Sequence, residues 1–442
     1  MVEHRLRLGG HSLLGKIAFS TLPQWEKKII QPDMSPRALN KPYLPRGIKT
    51  VEEKAGAMCS ILDWIYYKEM RPYAILPDGR WIPHSPPDRD CQSSSGSGQP
   101  RSHIVHMEMI EWLLKKMLNE VQRKRWEEAI RYGGALGHFL QEPFTPGHAI
   151  DNNLFHQLFP DPDRKRHIRL HSRFDAASDR FKPLTPVLMG TTVSEAAFRL
   201  LIEIDRGIKE GMKIVGRLID SVYKGEPKSE QERILSQQCR QAVFVTASAW
   251  HTVMCIGFNR FNKKEVERLK SLNLTYLVPY FIHHCQYFDI LLGNLVKEER
   301  KIPIYVWGRN GKEELIKNGF GMGGHSGIKF FINGDVYTRF RCRVGLPSRH
   351  TEGQTGNTRT MFFVEIDTEE NLTYSEDMEY EAKRIVSLPL IPGEPVHSID
   401  ICIKGARTLI LTTRSSPYTT CDGKIQFDIP HVAICDPVLY KS

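Results

Sequence analysis

Up to about residue 300 the apolar positions recur at intervals of three and four, the spacing of one helix face. Ile110, Leu113, Leu114, Met117, Leu118 and Val121 predict an amphipathic helix whose solvated end is Arg123-Lys124-Arg125. Thr192-x-x-Glu195 is a capping-box pattern, and Leu200, Ile204, Ile208, Val215, Ile219 and Val222 continue it as a helix until Gly225 and Pro227 stop it. Ser229-x-x-Glu232 predicts the start of the next one. The uncharged stretch Ala242 to Phe258 falls short of the roughly 20 residues a membrane span needs and contains Thr246, Ser248 and His251, so it predicts a buried helix and no integral membrane segment. A further helix is expected over Tyr276 to Lys297; its adjacent His283 and His284 point about 100° apart on a helix and are poor partners for one ion. Between the upstream helices, Asp90 to Pro100 is Ser/Gly-rich and predicts a flexible insertion.

After about residue 315 the period changes to two. Val336, Thr338, Phe340, Cys342 and Val344 alternate with Tyr337, Arg339, Arg341 and Arg343, and Ile399, Ile401 and Ile403 alternate with Ser398, Asp400 and Cys402. Short strands between Gly, Pro and Asn predict an antiparallel β-sandwich. The expected fold class is therefore multidomain, α then β: an all-helical domain over 1–300, a linker over 301–315 and a sandwich over 316–442. Gly319, Gly321 and Gly324 satisfy a dinucleotide-type spacing, but a strand pattern follows them, so no phosphate cradle is inferred.

Charge sharpens this division. The net charge of +10 resides wholly in residues 1–300, with 44 Lys plus Arg against 34 Asp plus Glu, while 301–442 balances 17 against 17. A basic first region attracts polyanions, and Arg164-Lys165-Arg166-His167-Ile168-Arg169 runs directly toward His171. The 442 residues are 40% hydrophobic and 25% charged, as in ordinary globular proteins. Nine cysteines are scattered without a Cys-x-x-Cys pair, which argues against a zinc ribbon or a dense disulfide framework and for a mostly reduced chain. The N-terminal stretch lacks the apolar core of a signal peptide, so a cytoplasmic location is the default expectation.

The candidate chemistry lies in one array of potential metal ligands. His138 and Glu142 stand four apart and share a helix face that Pro143 ends; Phe144-Thr145-Pro146-Gly147 then carries the chain back to His148, and His171 and Asp175 repeat the four-residue spacing. Imidazole and carboxylate together suit zinc, and sites that keep an open position are typically catalytic. Asp151, Asn152, Asn153 and His156 between the pairs are read as loop and cap residues.

The run Ala135-Leu136-Gly137-His138 through Glu142, Pro143, Pro146 and His148, followed by Leu170-His171-Ser172-Arg173-Phe174-Asp175, resembles the zinc-dependent phospholipase C and fungal single-strand nuclease superfamily. The resemblance implies an all-helical domain with two or three zinc ions at one end, acting as a phosphoric diester hydrolase. It implies that His148, His171 and Asp175 hold one zinc, and that His138 and Glu142 belong to a close pair in which Glu142 is the bridging carboxylate and a catalytic residue. The family more often has Asp there, one methylene shorter. Upstream, His84 in Arg80-Trp81-Ile82-Pro83-His84 resembles another family ligand, with Asp63 as its partner and as a catalytic residue that orients the attacking water; Asp78 is the alternative. His11 resembles the histidine of the third zinc site, which the family completes with a processed N-terminal Trp, whereas this chain begins Met1-Val2-Glu3-His4.

The second region resembles the NPCBM family of β-sandwiches associated with carbohydrate binding and attached to many secreted hydrolases. The residues that carry this are Gly321-Met322-Gly323-Gly324-His325-Ser326-Gly327-Ile328, Phe340-x-x-x-Val344-Gly345-Leu346, Phe362-Phe363-Val364, Ala406-x-x-Leu409-x-Leu411 and His431-Val432-Ala433-Ile434-Cys435-Asp436-Pro437. The resulting expectation is a zinc-dependent phosphodiesterase acting on single-stranded nucleic acid or a phospholipid, with a glycan as partner of the sandwich through exposed Tyr or Trp. The alternative is a non-catalytic carbohydrate-associated protein with a structural metal site.

Overall fold

The computed structural model describes residues 10–41, 44–62, 103–146, 178–283, 291–292, 294–297, 300–349, 360–370, 382–416, 418–419, 423–426 and 430–441. The chain forms two compact units, Met1–Glu267 and Arg268–Ser442.

The first unit is helical throughout its described elements: α1 (Gly10–Ser20), α2 (Gln24–Ile29), α3 (Pro36–Leu39), α4 (Val51–Met58), α5 (His103–Gln122), α6 (Trp126–Gln141), α7 (Val193–Tyr223) and α8 (Lys228–Gly257), with α9 (Lys263–Arg268) at the boundary. The apolar stripe of α5 is buried at Ile110, Leu113, Leu114, Met117 and Val121, while Arg123, Lys124 and Arg125 after it are exposed. Each fully buried side chain of that kind contributes about 1.5–3 kcal/mol. The Thr192 hydroxyl caps α7 by accepting from the Glu195 backbone N–H at 3.3 Å, and the Glu195 carboxylate accepts from Thr191 N–H, one residue further back than a simple box requires. Gly225, at φ +66°, takes the left-handed turn after that helix. α8 starts at Lys228 behind an N-cap Pro227, so Ser229 lies inside its first turn instead of opening it; the fixed φ of proline already sets the entry. Among the described residues no helix is long and apolar enough to cross a membrane.

Close backbone approach determines how α1, α4 and α6 meet. A Cβ on Gly56 of α4 would stand 2.4 Å from the carbonyl oxygen of Ser12 in α1, and a Cβ on Gly134 of α6 would stand 2.4 Å from the carbonyl oxygen of Met58. Only glycine fits at these crossings. The consequence is positional: the first turn of α1 and the second half of α6 are drawn against the end of α4.

Among its described residues the second unit has two larger antiparallel sheets and three two-stranded ones. Its strands are β1 (Ser271–Asn273), β2 (Phe281–His283), β3 (Leu291–Leu292), β4 (Asn294–Lys297), β5 (Arg300–Pro303), β6 (Tyr305–Trp307), β7 (Glu313–Leu315), β8 (Gly319–Gly323), β9 (Ser326–Phe331), β10 (Arg339–Gly345), β11 (Thr360–Asp367), β12 (Lys383–Leu390), β13 (His397–Cys402), β14 (Thr408–Ser415), β15 (Tyr418–Thr419), β16 (Ile425–Gln426) and β17 (His431–Tyr440). One sheet runs β13-β10-β17-β8-β3 with β1 paired to β17, and the other runs β12-β11-β14-β9-β2. The sandwich core joins them, as where the Phe320 and Phe330 rings meet at 5.5 Å. The predicted alternation appears in β10, with Phe340, Cys342 and Val344 buried and Arg339 and Arg341 exposed. β8 is a strand paired with β17, as the pattern there predicts.

Two expectations are corrected. Residues expected to form a helix over Tyr276–Lys297 instead supply β2, β3 and β4, because Ile282 pairs with Ile328 and Leu292 with Phe320; sheet edges that need partners outweigh local helical spacing. The expected linker over 301–315 carries β5, β6 and β7, and its Ile304 and Val306 pack with Ile316, Val396, Ala433 and Cys435 in a buried cluster.

Candidate metal centre

Three of the expected ligands, His11, His138 and Glu142, fall among the described residues, and they converge. Their ligand atoms all lie within 4.8 Å of one another. Glu142 Oε2 is 2.9 Å from His11 Nε2 and 3.8 Å from His138 Nε2, and the two imidazole rings are 4.2 Å apart. Glu142 still has helical φ and ψ, and its N–H donates to the His138 carbonyl, so the four-residue spacing holds although a 3-10 turn over Glu142–Phe144 replaces the α-helix there. His11 arrives from α1 through the glycine-lined crossings.

The hydrogen bonds behind the imidazoles fix their tautomers. His138 Nδ1 lies 2.9 Å from the carbonyl oxygen of Cys59, which can only accept, so Nδ1 carries a hydrogen and the ring turns Nε2 toward Glu142. His11 Nδ1 lies 3.1 Å from Gln141 Oε1. The orientation of that amide is set by Thr246: its hydroxyl donates to the Ala242 carbonyl at 2.8 Å and therefore accepts from Gln141 Nε2 at 3.3 Å. Gln141 thus turns its oxygen to His11, which also holds its hydrogen on Nδ1. Both imidazoles turn Nε2, and Glu142 turns a carboxylate oxygen, to one region. A remote N–H bonded to a carbonyl or amide oxygen is the support that metal-bound histidines use.

Dimensions suit zinc. Ligand atoms about 2.0–2.1 Å from a tetrahedral ion stand roughly 3.3 Å apart, and the 2.9 and 3.8 Å separations bracket that value. His138 is buried, while His11 and Glu142 keep 17% and 16% of their side-chain surface exposed, so one side of the cluster remains open to solvent. The Cys59 thiol beside it is pushed up to about 12 by burial and stays protonated at neutral pH.

Asp63, Asp78, His84, His148, His171 and Asp175, together with the Arg164–Arg169 run and the Asp90–Pro100 insertion, lie outside the described residues. What sequence reasoning missed are Gln141, Thr246 and the Cys59 carbonyl. Gln141 carries a usable signal, standing directly before Glu142 on the same helix; the Cys59 carbonyl carries none. The six described cysteines, at 59, 239, 255, 342, 402 and 435, are free thiols.

No family model matches the chain, and no curated protein matches it. Similar solved structures include the CBM51 module of Clostridium perfringens GH95 in complex with methyl-galactose, at 20% identity and TM-score 0.29, covering 38% of this chain and 99% of that one. The tandem CBM51 modules of the family 98 glycoside hydrolase from Streptococcus pneumoniae align at 18% identity and TM-score 0.28 over 39% of this chain, which spans about half, 47%, of theirs. Alpha toxin from Clostridium absonum aligns at 11% identity and TM-score 0.30 over 98% of this chain and 94% of that one. Likeness at this level assigns no site.

Proposed function

We propose that the helical unit is a zinc-dependent phosphodiesterase in which His11, His138 and Glu142 hold part of a metal cluster. The observation that supports this reading is the convergence of two Nδ1-protonated imidazoles and one carboxylate on a partly open region. When bound there, zinc supplies Lewis acidity toward phosphoryl oxygens and lowers the pKa of water it coordinates. The chain's own contribution is orientation. Cys59 fixes the His138 ring, Gln141 and Thr246 fix His11, and Glu142 brings the negative charge that a dication needs. Asp63, His84, His148, His171 and Asp175 belong to the same reading as the remaining ligands, with Asp63 as the residue that positions water and Asp78 as its alternative.

The test is hydrolysis of a chromogenic phosphodiester by the zinc-replete full chain, with and without chelator. Chelator-sensitive turnover is expected; its absence removes the enzyme reading and leaves a structural metal site in a non-catalytic protein. Single-stranded nucleic acid and phosphatidylcholine are then compared as substrates, and the basic balance of residues 1–300 favours the polyanion.

For the sandwich we infer glycan binding, supported by an open groove between β12 and β13 where Arg309, Glu394, His397, Ser398 and Asp400 offer donors and acceptors. A glycan array probed with the full chain tests it, and binding unaffected by His397→Ala and Asp400→Ala would place the site elsewhere.

A further inference from the structure

The strand orders leave a backbone edge of the sandwich open. Among the described residues β13 ends one sheet and β12 ends the other, and a groove of about 630 Å³ lies between them, within the range of ligand pockets. Which backbone groups of β13 face that groove follows from its register with β10. Ile403 N–H donates to the Thr338 carbonyl at 2.8 Å, one step beyond the pair Arg339–Cys402, so in β13 it is His397, Ile399 and Ile401 that bond to β10. The N–H and C=O groups of Ser398, Asp400 and Cys402 therefore point away from β10. Val396 shows the same parity directly, because its N–H donates outward to the Trp307 carbonyl at 2.9 Å. β6 ends at Trp307, and no described strand pairs with the edge beyond that bond.

Open edges invite pairing with other chains, and proteins guard them with charge, proline and bulges. β12 has all three: Lys383 and Arg384 are exposed, Pro389 has no N–H to give, and the register with β11 shifts between Val364 and Glu365. β13 has only Asp400, and that charge is held from the side. The Nε atoms of Arg339 and Arg341 each donate to one of its oxygens at 3.0 Å. The side chains of β13 alternate as well, with Ser398, Asp400 and Cys402 exposed and Ile399 and Ile401 less so. Val386 and Leu388 of β12 line the groove together with Ile399 and Ile401. A strand laid along β13 thus sets every second side chain against four aliphatic residues. Its other side chains stand beside Asp400, where two guanidinium groups meet one carboxylate and leave a positive balance.

We propose that the free edge of β13 binds an extended peptide in which apolar residues alternate with acidic ones, added to the sheet as a further strand. Main-chain hydrogen bonds to Ser398, Asp400 and Cys402 hold it, and the aliphatic lining selects its inward side chains. This goes beyond the glycan reading, which uses polar side chains of the groove and not the backbone edge.

The probe is a peptide of alternating Val and Glu, titrated against the full chain and followed by amide hydrogen exchange. Binding is expected to slow exchange of the Ser398, Asp400 and Cys402 amides at least tenfold and to leave Ile399 and Ile401, already bonded to β10, nearly unchanged. Ser398→Pro removes one outward N–H and no bond to β10, so it is expected to weaken binding at least tenfold, whereas Ser398→Ala leaves it intact. A copy of the peptide N-methylated at every amide is expected not to bind, which keeps the test decisive should Ser398→Pro fail to fold. No binding, equal affinity for the N-methylated copy, or a bound state in which the three amides exchange freely overturns the proposal. Protection of those amides without peptide, lost on dilution, overturns it in favour of a second copy of this chain. Glycan binding without peptide binding overturns it and leaves the glycan reading standing; peptide binding without glycan binding does the reverse.

Discussion

His11 Nε2 lies 2.9 Å from Glu142 Oε2, and through that approach the first turn of α1 meets the last turn of α6. The contact depends on Gln141, which holds the His11 ring from behind. Gln141→Ala is expected to weaken zinc binding at the solvent-facing cluster by about 10–100-fold, the usual cost of losing a ligand's outer hydrogen bond. Competition with a chelator of known affinity measures it, and His138→Ala should cost at least as much. Gln141→Glu keeps an acceptor for His11 and should recover part of the loss.

Gly56 and Gly216 should respond to alanine with opposite signs. At Gly56 the new methyl meets the Ser12 carbonyl oxygen at 2.4 Å, so overpacking costs about 1–3 kcal/mol, and the displacement of α1 lowers metal affinity as well. At Gly216, exposed in the middle of α7 with nothing within 4 Å of the added methyl, alanine should stabilise by about 0.5–1 kcal/mol through helix propensity. Denaturant titration of both variants is the check.

Glu53 links stability to acid. Its carboxylate accepts from the backbone N–H groups of Lys49 and Thr50 and from Lys16 Nζ, which holds its pKa below the usual 4.5. A lowered folded pKa means that the contribution is present above 4.5 and is lost as pH falls through the lower folded value. Glu53→Gln should therefore melt below the wild type at neutral pH, with the gap closing as pH drops under 4.5. A gap that widens in acid would contradict this.

Lys54 is a different kind of anchor. Its ammonium is wholly buried, donating to the Asp33 carbonyl at 2.6 Å and to Glu127 Oε2 at 2.7 Å. Lys54→Ala removes a long apolar stem and leaves the Asp33 carbonyl without that donor, for a cost of about 2–4 kcal/mol. Lys54→Met should recover the packing part of it, and thermal melts of the two variants separate the terms.

The extent to which the sequence announces this molecule depends on whether the information is local. The alternation of Phe340, Cys342 and Val344 and the stripe of α5 are local, and both are seen in the structure. The strands of 271–315 are not, because Ile282 and Leu292 become strand only by pairing with Ile328 and Phe320. At the site, His138 and Glu142 share a face by spacing alone, while His11 joins them through backbone crossings that no spacing encodes. His251 and Cys255 show the same four-residue interval as His138 and Glu142, yet the uncharged stretch around them read simply as buried helix. Their partner Glu26, whose carboxylate meets His251 in the core, lies in another helix far away in sequence, which is why that buried cluster stayed hidden.

α8 touches both clusters. Thr246 braces Gln141 on one of its sides, and His251, five positions later, meets Glu26 on another. At about 100° per residue the two contacts lie roughly 140° apart around the helix. A rod gripped at nearly opposite points cannot roll about its own axis. α8 is therefore a fixed axle for the bundle: a substitution that twists it to suit one grip loosens the other, and paired substitutions at Thr246 and His251 should fail to add.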